Sequence, residues 1–242
     1  MSTMREFVSV PPIVLLPGMM LDERVYSEQV ALLSSITQVT VGDITLTDTV
    51  QQLADAALRA APPRFALAGL SMGGIVALEI WRRAPRRVTH LALIDTTPYA
   101  DRPERKEMRF EQIAAVESGN LRQILSQSMK PLYLASKNRT SATLLRAILD
   151  MGLALGPEVF RRQSLALAHR PDSSATLTSI TCPSLVLCGR EDMLCPVEFH
   201  RSMADAMPRA DLVVLAECGH LSVMEEPEAV TGALCHLLRR TS

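Results

Sequence analysis

Ser71 stands in Gly69-Leu70-Ser71-Met72-Gly73, directly after the apolar run Phe65–Leu70 and before a stretch with helical patterning. A strand that turns at once into a helix forces its turn residue into strained backbone geometry and lifts that side chain above the sheet. Bulkier neighbours would clash at such a turn, which accounts for the flanking glycines. The start of the following helix adds positive potential where negative charge would develop during attack on a carbonyl. A serine so placed suits nucleophilic chemistry. The same residues would also serve a tight strand–helix turn whose serine merely caps the helix.

A hydroxyl is a weak nucleophile until a base takes its proton. The chain has five histidines. His90 falls within a predicted strand, His200 and His236 on predicted helices, and His169 at the end of a helical region, all positions that suit structural or surface roles. Only His220, in Ala216-Glu217-Cys218-Gly219-His220-Leu221-Ser222, lies in a loop just after a late strand, and Gly219 can bend that loop back over the sheet edge. The base needs an acid to fix its tautomer and stabilise the imidazolium. Asp192, in Gly189-Arg190-Glu191-Asp192, follows another apolar run and completes the order Ser, Asp, His. Each then sits at the C-terminal end of a strand, where open parallel sheets build their sites. Asp95, after the run ending at Ile94, is a second candidate acid and Glu191 a third.

A tetrahedral oxyanion needs two preorganised N–H donors. The backbone of Met72 offers one. The loop Leu15-Leu16-Pro17-Gly18-Met19-Met20 offers another at Met19, where Gly18 lets the chain turn the amide inward. Met20 fits equally a flexible pocket wall and ordinary core.

These side chains require a scaffold of alternating strands and helices. Six continuous apolar runs read as strands buried on both faces: 13–16, 39–41, 65–70, 88–94, 184–188 and 212–215. Amphipathic stretches at 49–60, 73–83, 198–207 and 228–240 read as helices, the last with Glu226 as a cap and Pro227 at its first position. The rhythm breaks between 98 and 170, which reads as helices at 104–117, 121–129, 141–154 and 158–168. The expected architecture is an α/β core of residues 1–97 and 171–242, with a mostly parallel sheet of about six strands and a helical cap, residues 98–170, inserted between two of them. The cap carries 12 Lys and Arg against 7 Asp and Glu. That balance suits steering of an anionic substrate, such as an acyl chain on an acidic carrier protein, or simply solvated helical faces. Tyr99, Met108, Leu121 and Met151 are candidates to line an apolar pocket.

At 242 residues with 48% hydrophobic and 21% charged residues, the chain can bury a core that needs neither metal nor disulfide. A net charge of −1 points away from nucleic-acid and membrane partners. Five cysteines without a CxxC suggest free thiols in a reducing compartment. The opening segment, interrupted by Pro11, Pro12 and Pro17, is a poor signal peptide, so a cytoplasmic location is expected. Neither cofactor nor metal is called for.

The pieces LLPGMM, GLSMGG, LIDTTP, LVLCGREDMLCP and ECGHLSVMEEPEAV resemble the α/β-hydrolase superfamily over nearly the whole chain. They resemble especially small bacterial carboxylesterases related to pimeloyl-carrier-protein methyl ester esterase. The resemblance implies Ser71 as nucleophile, Asp192 as acid, His220 as base, and the Met19 and Met72 amides as oxyanion hole. It departs in two places. Pro17-Gly18 replaces the usual His-Gly of the oxyanion loop, and the sheet starts without the antiparallel hairpin common among relatives. Proteins of this kind include esterases, thioesterases, C–C bond hydrolases, lyases and non-catalytic receptors, and the fold does not choose among them. The expectation is a serine hydrolase acting on an ester or thioester; C–C cleavage by the same residues, or ligand binding without turnover, are the alternatives.

Overall fold

The six apolar runs form the strands β1 (Ile13–Leu16), β2 (Val39–Val41), β3 (Phe65–Leu70), β4 (Val88–Ile94), β5 (Ser184–Gly189) and β6 (Ala210–Leu215) of one sheet, in a computed structural model that describes residues 10–129 and 132–241. The strand order is β2-β1-β3-β4-β5-β6, and every pairing is parallel. Residues 1–9, on which part of the leader expectation rests, lie outside the described residues. Among the described residues no helix is long and apolar enough to cross a membrane, and all five cysteines are free.

The central strands β1, β3, β4 and β5 are buried along their whole length, as their continuous apolar runs require of strands covered on both faces. One face packs on α2 (Val50–Ala60), α3 (Met72–Arg83) and α7 (Val197–Ala206), using Val14, Leu16, Leu67, Leu93 and Val186. The other packs on α1 (Ser27–Leu33), the short α8 (Ser222–Glu225) and α9 (Pro227–Leu238), using Ile13, Leu15, Ala68, Ile94 and Leu187. Neighbouring residues of one strand thus feed opposite cores. The edge strand β6 is half exposed. It begins two residues earlier than its apolar run, because an edge position tolerates the polar Asp211, which pairs with Arg240.

Between β4 and β5 the chain forms a helical insertion. It comprises α4 (Pro103–Ala115), α5 (Leu121–Gln123), widened turns at Val116–Asn120 and Ile124–Met129, and α6 (Ala142–Ala168). The two helices expected at 141–154 and 158–168 are both present within α6 and meet at a break where Gly156 takes the non-helical φ 81° ahead of Pro157. Proline lacks the N–H and crowds the preceding turn, so the bend falls there. One departure concerns α9. Pro227 occupies its first turn, but Glu226 makes no capping hydrogen bond; its carboxylate pairs with Lys137 of the insertion instead.

The chain direction across the sheet reverses between β1 and β3, since β2 lies outside β1 and all later strands lie on the other side. At such a reversal the loops after the two strands diverge and leave a crevice at the C-terminal edge. The loop after β1 carries Met19 and Met20; the turn after β3 carries Ser71.

Candidate active site

Ser71 links β3 to α3 with φ 53° and ψ −114°, a conformation that holds its side chain clear of both elements. The helix packs so closely under the sheet that a Cβ on Gly73 would lie 2.1 Å from the Leu16 carbonyl oxygen. Positive φ recurs at Met20 (56°) and Asp95 (46°), the residues leaving β1 and β4 at the same edge. Strained backbone therefore clusters around one point.

His220 Nε2 lies 2.9 Å from Ser71 Oγ, and His220 Nδ1 lies 2.8 Å from Asp192 Oδ2. The other oxygen of Asp192 accepts the amides of Leu194 (2.8 Å) and Cys195 (2.9 Å), so the carboxylate is held from both sides. His220 is buried. Burial pulls its pKa down, but the charge and hydrogen bond of Asp192 more than offset this, and the imidazole is held above its ordinary 6.5. Asp192, Cys195 and His220 also bring three potential metal-ligand atoms within 4.8 Å of one another, although one Asp192–His220 contact is the hydrogen bond already described.

The other histidines stand apart. His200 Nε2 accepts the Thr96 amide at 3.0 Å, and burial lowers its pKa to about 4. His90 Nε2 lies 2.8 Å from the Arg240 carbonyl oxygen. The two alternative acids occupy different places. Glu191 receives the Ser136 amide (2.8 Å) and hydroxyl (2.6 Å). Asp95 is fully buried and accepts the Gly189 amide (3.1 Å) on one oxygen and the Ser222 amide (3.0 Å) on the other. It ties the root of the Asp192 loop to the segment after His220. Burial and then the Asp192 charge push its pKa up.

The N–H groups of Met19 and Met72 find no acceptor among the described residues. Met20 behaves differently: its amide donates to Gln163 Oε1 at 2.8 Å, and its side chain is core, 2% exposed. Gln163, fully buried, also donates to the Ile44 carbonyl oxygen, so the cap helix α6 pins the loop after β1.

A cavity of about 230 Å³ opens above Ser71 and His220, walled by Met19, Met108, Met129, Leu132, Leu167 and Leu194 among others. Met108 thus lines it, whereas Tyr99, Leu121 and Met151 do not. Tyr99 packs edge-on against Phe199 with ring centroids 5.1 Å apart. Leu121 and Met151 are buried in the cores beneath the cap, where helical spacing serves packing equally well.

Tyr133 and Glu225 carry no sequence signal of their own yet hold the site together. Tyr133 stacks on the His220 ring, centroids 5.9 Å apart, and its carbonyl oxygen accepts the His220 amide at 2.7 Å. Glu225 accepts the amides of Gly219 and Ala135, each at 2.8 Å, and thereby joins the histidine loop to the cap. Gly219 does not bend the loop through a positive φ. It is small because a Cβ there would lie 2.6 Å from both Ala135 N and the Tyr133 carbonyl oxygen.

A serine, an imidazole and a carboxylate in one hydrogen-bonded line, beside two unengaged amides, can activate a hydroxyl and stabilise an oxyanion. Known proteins share this architecture. A methyl ester esterase of pimeloyl-[acyl-carrier protein] from Nitrosomonas europaea is 28% identical over 190 residues, covering 75% of this chain and 74% of that protein. A thermophilic esterase from Thermogutta terrifontis, solved with malate bound, is 31% identical with a TM-score of 0.87, covering 95% of this chain and 89% of the other. The enol-lactonase of Burkholderia xenovorans, 23% identical over 96% of this chain and 92% of its own, shares the fold with a TM-score of 0.85. Residues 13–233 match the alpha/beta hydrolase family throughout, and the chain belongs to that family.

Proposed function

We propose that the protein is a serine hydrolase that cleaves a carboxylic ester or thioester through an acyl-serine intermediate. The observation that carries this proposal is the continuous line Ser71 Oγ–His220 Nε2, His220 Nδ1–Asp192 Oδ2, with contacts of 2.9 and 2.8 Å. Ser71 Oγ attacks the carbonyl carbon while its proton passes to His220 Nε2, and Asp192 stabilises the imidazolium. The oxyanion takes hydrogen bonds from the amides of Met19 and Met72. His220 then protonates the leaving alcohol or thiol. Water, deprotonated by the same nitrogen, releases the acid and restores Ser71. The esterase names of the Nitrosomonas and Thermogutta relatives support ester chemistry. The first of them also makes a carrier-linked ester a substrate to include. A fluorophosphonate probe should label Ser71, and a trapped acyl group on that residue, seen by mass spectrometry with a carboxyl ester, separates this proposal from C–C cleavage and from mere binding.

Two expectations follow from the geometry. His220 must be neutral to accept the Ser71 proton, and its pKa is raised. Activity is therefore lost as pH falls through a value above 6.5, and kcat/KM for a neutral ester should show its acid limb there. A limb below that value would detach the base from Asp192. The second concerns substrate size. At about 230 Å³ the cavity lies below the ~300–1,000 Å³ typical of ligand pockets. At ~10–15 Å³ for one water-sized position, it holds roughly 15 to 23 heavy atoms, about the size of a p-nitrophenyl ester of a short acid. Among p-nitrophenyl esters, kcat/KM should peak at or below about six acyl carbons and fall roughly tenfold by ten. A profile still rising at ten carbons would mean that the acyl chain lies elsewhere.

A further inference from the structure

Three arginines gather beside Ser71. Arg105 and Arg109 project from α4 and Arg170 follows α6, and all three converge on Asp101. Arg109 Nε donates to Asp101 Oδ2 at 2.6 Å; Arg170 Nη2 and Arg105 Nε lie 2.9 and 3.6 Å from Oδ1. The side chains of Asp101, Arg170 and Arg109 are only 1, 6 and 10% exposed, while that of Arg105 is 42% exposed. One carboxylate thus serves three guanidinium groups, which leaves an excess of positive charge where burying charge is costly. Burial lowers the pKa of Arg109 and draws that of Arg170 down to about 10, the direction expected where positive charge is under-compensated.

The three arginines differ in their remaining contacts. Arg170 is engaged, since its Nε donates to the Tyr99 carbonyl oxygen at 2.9 Å and its Nη1 to that of Leu167 at 3.4 Å. Beyond Asp101, the sole hydrogen-bond contact of Arg109 among the described residues is Met19 Sδ at 3.8 Å, a weak acceptor. Arg109 borders a recess of about 40 Å³ that Ser71, Thr97, Arg105, Arg170 and His220 also line. Arg105 and Arg109 line the main cavity as well, and among the described residues no Asp or Glu lines either space. At ~10–15 Å³ for one water-sized position, the recess admits about three, enough for the three heavy atoms of a carboxylate. A guanidinium binds that group through paired N–H donors.

We propose that this recess is a subsite for a carboxylate carried by the substrate, so that the ester cleaved at Ser71 bears a free acid group a few bonds from its scissile carbonyl. The inference rests on Ser71 being the nucleophile. The carboxylate can belong to the acyl part, as in a half-ester of a short dicarboxylic acid, or to the alcohol part, as in an ester of a hydroxy acid.

Two substrate pairs distinguish those sources: monomethyl succinate against dimethyl succinate, and acetoxyacetate against ethyl acetate. In at least one pair the anionic member should win in kcat/KM by roughly ten- to a hundredfold, and the winning pair names the side. Arg109→Gln should shrink that ratio at least tenfold, with Arg105→Gln shrinking it less. Succinate should bind Ser71→Ala in calorimetry, and the additional change Arg109→Gln should abolish that binding. If the wild-type enzyme is labelled at Ser71 yet handles the neutral member of both pairs as well as the charged one, the subsite is refuted and the hydrolase proposal stands. If Ser71 is neither labelled nor acylated, the hydrolase proposal fails, and calorimetry with succinate still decides whether the recess holds an anion.

Discussion

Ser71→Ala is expected to cut kcat for p-nitrophenyl acetate by roughly 10⁴- to 10⁶-fold while leaving the melting temperature nearly unchanged. At ~1.36 kcal/mol per decade, that loss is about 5 to 8 kcal/mol of transition-state stabilisation. The magnitude follows from what the hydroxyl contributes. It supplies the bond to carbon, and without it His220 has no proton to take from the enzyme. The fold loses little, because the one side-chain hydrogen bond of Ser71 among the described residues runs to His220. The backbone bonds from the Gly74 and Ile75 amides to its carbonyl oxygen, and from its own amide to Ile94, survive the change. Alanine meets the same positive φ as serine, so the strain at this turn is common to both. Some rate over water should remain, since the Met19 and Met72 amides can still polarise a bound carbonyl. A variant within a few-fold of wild type would show that chemistry occurs elsewhere.

The scaffold was legible because its strands are buried on both faces. A strand in that position must be apolar throughout, so 13–16, 65–70 and 88–94 stand out as unbroken runs between polar turns and match the strands residue for residue. Legibility declines toward the edges, where half-exposed strands admit residues such as Asp211. It declines further in the cap. There apolar positions at helical spacing serve core and cavity alike, so Met108 and Met151 look equivalent in sequence but face different surroundings. That Ser71, Asp192 and His220 would lie together could be anticipated, because strand ends converge on one edge of a parallel sheet. Residues that act through long-range hydrogen bonds leave no such trace. Gln163 reaches Met20 from 143 positions away, and Glu225 reaches Ala135 from 90. Each looks like an ordinary polar residue on a helix until the fold brings its partner alongside. The arginine cluster is intermediate: the positive balance of the cap was countable, but not the convergence of three of its members on Asp101 beside Ser71.

Asp192→Asn and Asp95→Asn should separate sharply, although both residues are buried carboxylates near His220. Asp192 touches the imidazole, so Asp192→Asn should lower kcat by roughly 10⁴-fold. An amide facing Nδ1 no longer favours the tautomer that leaves Nε2 free to accept the Ser71 proton. It also withdraws the charge that raises the His220 pKa, so the acid limb of the residual activity should move to lower pH. Among the described residues the hydrogen bonds of Asp95 run only to backbone, the Gly189 and Ser222 amides. Asn can accept one of these two bonds and presents its own N–H₂ to the other, leaving a buried donor unsatisfied at a cost of about 1–3 kcal/mol. The expected result is a melting temperature lower by several degrees, with kcat reduced less than roughly tenfold and the Nδ1 contact of His220 intact. The two variants therefore test whether touching the base matters more than merely lying near it. If Asp192→Asn kept most of its activity while Asp95→Asn lost it, the carboxylate after β4 would be the partner of His220, and the loop after β5 would be reduced to scaffolding.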